Sequence, residues 1–122
     1  MLKQKNVTGV SAIVALLATV AVSKAACPGD TQTEMNQCAA ADYKRADAEL
    51  TSIYNQLKHT PQLKAAERAW IAYRDTECVY EHHATPEGSM YIMEEMLCKM
   101  EVTKQRINTL ENALKEDYGN EE

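Results

Sequence analysis

Apolar residues recur at steps of three or four positions from Met35 onward, which is the spacing of one face of an α-helix. The first such run follows a capping-box sequence, in which the Thr31 hydroxyl and the Glu34 carboxylate each satisfy a backbone amide at a helix start. We therefore predict a first helix from this box to about Lys58. Its inward positions are Met35, Ala39, Tyr43, Ala46, Leu50, Ile53, Tyr54 and Leu57.

Two more helices follow. Thr60 as a cap and Pro61 at the first helical position predict a second helix that runs to about Glu81. Its predicted inward stripe comprises Leu63, Ala66, Trp70, Tyr73 and either Val79 or Tyr80. After a break at Pro86 and Gly88, Ser89 predicts the cap of a third helix. The stripe of that helix comprises Met93, Leu97, Met100, Thr103, Ile107, Leu110 and Leu114.

The turn at His59 and Thr60 is too short for anything but an antiparallel pair of helices. We therefore predict an all-α fold, an antiparallel bundle of three main helices. Pairing the first two helices about this turn places two pairs of residues together, and we assign all four a structural role. The pairs are Leu50 with Trp70 and Asp47 with Arg74, the second an ion pair that would fix the helix register.

Residues 1–25 have the three parts of a secretory signal peptide. Lys3 and Lys5 precede an apolar run over residues 7–22, and small residues before the predicted cleavage point at Ala25 complete the signal. The run is short for a permanent membrane span, which needs about 20 apolar residues. We predict a periplasmic or secreted protein with no membrane span after cleavage.

Removal of this leader takes away three lysines and no acidic residue. The exported chain then has 10 basic and 18 acidic side chains, a formal net charge of −8 instead of −5. Such an acidic protein disfavours nucleic acid and anionic lipid and attracts basic proteins. We predict one helical domain at residues 26–115, followed by a C-terminal tail at residues 116–122 that frays.

Four cysteines, Cys27, Cys38, Cys78 and Cys98, follow the leader without redox or metal spacing. This is typical of disulfides in an exported domain. Because the core is small, each bridge matters and contributes about 2–4 kcal/mol. We favour Cys27–Cys38 with Cys78–Cys98. The alternative, Cys38–Cys78 with Cys27–Cys98, stays open because the helix pairing also brings Cys38 near Cys78.

Two groups of residues carry a resemblance to a known family. They are Thr31-Gln32-x-Glu34-Met35-Asn36-x-Cys38-Ala39 with Asp42-Tyr43, Ala46-Asp47-x-Glu49-Leu50 and Tyr54, and Leu63-Lys64-x-Ala66-Glu67-Arg68-Ala69-Trp70-Ile71-x-Tyr73-Arg74-Asp75-x-Glu77-Cys78 with Gly88-Ser89, Cys98, Thr103, Arg106 and Leu110. Together they resemble the lysozyme inhibitor LprI-like N-terminal domain. The resemblance implies a small exported helical domain and, for the namesake member, inhibition of lysozyme. Thr51 and Glu87 depart from residues that the family often has, and Lys24 argues against a lipid anchor at Cys27.

The inhibitor hypothesis also has physical support, since an acidic exported domain is steered toward strongly basic lysozymes. Blocking a cleft requires a protruding element, and the loop at residues 82–89 is the candidate. A Cys78–Cys98 bridge would hold this loop stiff and lower the ordering cost of binding. The partner-binding residues that we predict are Glu81, His82, His83 and Glu87.

Other functions are also compatible with this sequence. An envelope structural protein, or an immunity protein with another protein target, is the main alternative. A periplasmic copper-binding protein is a third hypothesis, because imidazole and thioether groups suit Cu(I). Its ligands would come from His82, His83, Met90, Met93, Met96 and Met100. The chain has no phosphate loop, nucleophile elbow or zinc motif, so we predict no catalytic residue, no cofactor and no resident metal.

Overall fold

Three α-helices make up most of the structure, a computed structural model that describes residues 27, 29–82 and 88–119. α1 spans Gln32–Tyr54, α2 spans Pro61–Glu81 and α3 spans Tyr91–Gly119, and the described residues contain no strand. The all-α bundle is therefore confirmed. The predicted leader at residues 1–25 lies outside the described residues. None of the described helices combines the length and the apolar content that a bilayer crossing requires.

The ends of α1 are set by local hydrogen bonds. At its start the Thr31 hydroxyl accepts from the Glu34 amide at 3.2 Å, and a Glu34 carboxylate oxygen accepts from the amides of Thr31 at 3.0 Å and Asp30 at 2.9 Å, which confirms the capping box. The helix ends at Tyr54, earlier than predicted. There the Tyr54 carbonyl accepts from Nε2 of His59 at 2.9 Å, and the two rings stack with centroids 4.4 Å apart.

The apolar core lies between α1 and α3, which form the most extensive contact between helices in the described residues. It consists of Leu50, Ile53 and Leu57 on the α1 side and Ile107 and Leu110 on α3. Each such side chain stabilises the fold by about 1.5–3 kcal/mol when fully buried. The predicted inward stripes of α1 and α3 are thus largely confirmed. α3 continues as a helix through Gly119, so it includes part of the segment predicted as a tail.

α2 packs in a different way, and its predicted inward stripe is wrong in part. Its buried residues are Glu67, Arg74 and Cys78, whereas Tyr73 and Tyr80 are 53% and 65% exposed. Ala66 and Val79 are also exposed. The reason is distance, because no Cα atom of α1 lies within 8 Å of one in α2. Arg74 spans this gap to Asp47, and of the predicted stripe only Leu63 and Trp70 pack against the core.

Candidate functional site

Arg74 connects α2 to α1, as the helix pairing predicted. Its Nη1 donates to Asp47 at 3.1 Å and its Nε donates to Asp75 at 2.9 Å. Only 8% of the Arg74 side chain is exposed. Burial by itself lowers the pKa of Arg74, but the hydrogen bond to Asp75 and the nearby Tyr43 and Asp47 raise it overall, so the guanidinium stays charged.

Trp70 lies beside Arg74 at the centre of this region. The guanidinium carbon of Arg74 is 5.1 Å from the Trp70 ring centroid, and that of Arg106 on α3 is 5.8 Å away. Both distances are typical of cation–π contacts. Arg106 also donates to one oxygen of Glu67, from Nε at 3.0 Å and from Nη2 at 2.8 Å. Ion pairs and ring contacts therefore join α2 to both of its neighbours.

A cleft of about 500 Å³ opens between α1 and α2 beside these residues. Space for it is left because α1 and α2 do not pack closely against each other. Its lining residues are Asp47, Leu50, Thr51, Tyr54, Lys64, Glu67, Arg68, Trp70, Ile71 and Arg74. All of them except Thr51 belong to the sequence stretches that carry the family resemblance.

The C-terminal end of α2 is tethered to α3 by the Cys78–Cys98 disulfide, with Cα atoms 5.6 Å apart. This bridge excludes the alternative connectivity. A carboxylate oxygen of Glu81 lies 3.1 Å from the Cys98 sulfur, and Nδ1 of His82 lies 3.5 Å from Glu94 on α3. The predicted partner-binding residues Glu81 and His82 are thus held at the α2–α3 junction. The other two, His83 and Glu87, lie outside the described residues.

The same junction exposes large apolar side chains. They are Val79 at 47%, Tyr80 at 65%, Met90 at 47% and Ile92 at 54%. All four lie in the two segments that the bridge joins, because the first two are within two residues of Cys78 and the others lie in or just before the first turn of α3. We call these four residues together with Glu81 and His82 the junction surface. Aromatic and methionine side chains of this kind are enriched in protein–protein interfaces.

Cys27 and Cys38 are free thiols in this structure instead of the predicted second bridge. One carboxylate oxygen of Asp42 lies 3.3 Å from the Cys27 sulfur and 4.0 Å from the Cys38 sulfur, and the two sulfurs are within 4.8 Å of each other. Asp42 thus accepts hydrogen bonds from both thiols. Burial and the neighbouring Cys38 thiol raise the pKa of Cys27 to about 11. The Cys27–Cys38 bridge stays a prediction.

Sequence reasoning missed two parts of this region. It gave no role to Glu67 and Arg106, and it did not foresee a cleft lined by Lys64 and Arg68. A signal was present in the spacing of Glu67, Arg74 and Cys78, which repeat at steps of seven and four along one face of α2. A pattern search that counts only apolar residues passes over such a face.

These features define a small all-α domain whose helices are joined by a disulfide and by interhelical ion pairs. The chain belongs to the family described as "Lysozyme inhibitor LprI", which it matches over residues 23–110. It is also similar to "Uncharacterized protein R02472" of Rhizobium meliloti (strain 1021), with 32% identity over an alignment of 103 residues; the match covers 69% of this chain and 74% of that protein. No solved structure matches the chain. The family confirms the resemblance and indicates an inhibitor domain with a protein partner.

Proposed function

We propose that this protein is an exported, non-catalytic domain that inhibits a lysozyme in the periplasm or outside the cell. Membership of the LprI family supports an inhibitor. The observation that carries the proposal for this chain is the junction surface. It combines exposed apolar side chains with titratable groups, and a disulfide holds it in place.

Charge would bring the two proteins together. The exported chain has a formal net charge of −8, and many lysozymes are strongly basic. Electrostatic steering of this kind raises association rates, and added salt weakens it. Encounter alone does not block a cleft, so the contacts that follow it decide whether inhibition occurs.

The junction surface would supply those contacts. Tyr80 and Ile92 offer apolar area of the type that dominates binding energy at interfaces. His82 and His83 would face the carboxyl groups of a lysozyme cleft, while Glu81 and Glu87 would face basic groups at its edge. The Cys78–Cys98 bridge lowers the cost of ordering this surface, because α2 and α3 are already joined beside it.

The experiment measures cell-wall lysis by a C-type lysozyme in the presence of the oxidised chain without residues 1–25. We expect inhibition that saturates with inhibitor concentration and that weakens as salt is added. Tyr80→Ser should weaken inhibition by about tenfold or more, which is the effect of removing a central interface side chain.

Tyr118→Ser is the matched control. Tyr118 is 61% exposed, close to the 65% of Tyr80, but it lies near the far end of α3. It should leave inhibition unchanged. Absence of inhibition at micromolar excess and low salt would overturn the proposed function. An equal loss in the two tyrosine variants would refute the assignment of the junction surface.

A further inference from the structure

The cleft between α1 and α2 has the composition of a ligand site. Leu50 and Tyr54 from α1 and Trp70 and Ile71 from α2 provide its apolar walls. Ile71 is 41% exposed although it is a large aliphatic residue. The volume of about 500 Å³ falls within the range of small-molecule sites in proteins, roughly 300–1,000 Å³. The cleft therefore offers room for a ligand with an apolar body.

The charged side chains at the cleft indicate which charge its ligand should carry. Its two carboxylates, Asp47 and Glu67, are each engaged by an arginine. Lys64 and Arg68 also line it, one helical turn apart on α2, and neither has a carboxylate partner among the described residues. The uncompensated charge at this cleft is positive, although the exported chain as a whole is acidic. A ligand with an anionic group would find its complement here.

The geometry around Trp70 bears on the shape of the ligand. The guanidinium groups of Arg74 and Arg106 already lie over the indole ring. Stacking positions on the ring are therefore used within the protein. A flexible chain that packs along Leu50, Tyr54 and Ile71 suits such a cleft better than a flat ring that needs an aromatic face.

From these observations we propose that the α1–α2 cleft binds a small amphiphilic carboxylate, with its acyl chain along Leu50, Tyr54 and Ile71 and its carboxylate at Lys64 and Arg68. The size agrees. At roughly 30 Å³ for each methylene-sized group, about the share of one water in the liquid, a ten-carbon chain needs roughly 300 Å³. This cleft is separate from the junction surface, so the inference does not depend on lysozyme inhibition.

The test uses decanoate below its micelle concentration and the oxidised chain without residues 1–25. Trp70 is the only tryptophan in the sequence, so its fluorescence reports directly on the cleft. We expect a saturable change with decanoate and at least tenfold weaker binding of uncharged 1-decanol. The variant Lys64→Glu with Arg68→Glu should weaken decanoate binding at least tenfold and leave the weak decanol binding unchanged. Isothermal titration calorimetry gives an independent affinity.

Lys44→Glu with Lys104→Glu is the matched control, because both lysines are exposed and lie outside the cleft. This variant changes the net charge by the same amount. The inference is overturned if decanoate produces no saturable change, or if decanol binds as tightly. It is also overturned if the control variant loses as much decanoate affinity as the cleft variant, since overall charge would then explain the binding.

Discussion

Replacement of Glu67 by alanine should markedly destabilise the domain. Both hydrogen bonds from Arg106 end on one oxygen of Glu67, and the two side chains are only 12% and 15% exposed. Without the carboxylate, the guanidinium stays buried and unpaired, which costs about 3–5 kcal/mol in proteins. Because both side chains keep some contact with solvent, we expect a loss of stability at the lower end of this range, about 3 kcal/mol. For a domain of this size, that corresponds to a decrease in Tm of roughly 12–24 °C.

Asp47→Ala provides the matched comparison. The Asp47 side chain is 49% exposed, and Arg74 keeps its hydrogen bond to Asp75, so the expected loss is below about 1 kcal/mol. Urea denaturation followed by far-UV circular dichroism measures both variants. Replacing Glu67 and Arg106 together by methionine should recover most of the loss, because no buried charge remains. A Glu67→Ala variant within about 1 kcal/mol of the wild type would refute this reasoning.

Two further predictions concern the N-terminal half of the domain. The exported protein should form a Cys27–Cys38 bridge, which would close a short loop and add about 3 kcal/mol. Alkylation of the denatured, unreduced protein should then modify no cysteine, and modification of these two would contradict the bridge. Backbone hydrogen bonds from Thr31 and Asp30 lower the pKa of Glu34, so the folded state binds that proton less tightly than the unfolded chain. The stability that this group contributes should be present above a pH of about 4 and lost as the pH falls below it. Glu34→Gln should reduce this pH dependence in acid denaturation curves. An unchanged curve for the variant would disprove the prediction.

Much of the fold follows from local signals in the sequence. The Thr31 capping box and the Thr60–Pro61 start determine where α1 and α2 begin, because these residues satisfy backbone amides within one turn. The stripe of α3 around Ile107 and Leu110 is buried as its spacing predicts. The Asp47–Arg74 pair followed from the short turn between the helices, since few antiparallel registers are compatible with it.

The rest of the fold and site depends on distances between helices, which periodicity does not encode. The sequence pattern of α2 is that of an ordinary amphipathic helix, yet its polar residues Glu67 and Arg74 are buried. The rotation of α2 about its axis depends on the position of Cys78 opposite Cys98 and on the reach of Arg106 from α3. The cleft results from the distance between α1 and α2, so no contiguous run of residues predicts it.

The way in which α2 is attached sets the order in which the domain comes apart. α1 and α3 supply the buried apolar core, whereas α2 adds only the partly buried Leu63 and Trp70 to it and is otherwise attached by charged contacts and one covalent tether. Salt screens ionic contacts but does not weaken apolar packing in the same way. We therefore expect reduction of the tether to loosen α2 before it affects the pairing of α1 and α3. In a reducing environment the domain would lose its covalent link between α2 and α3, so its stability should vary with the redox state of its surroundings.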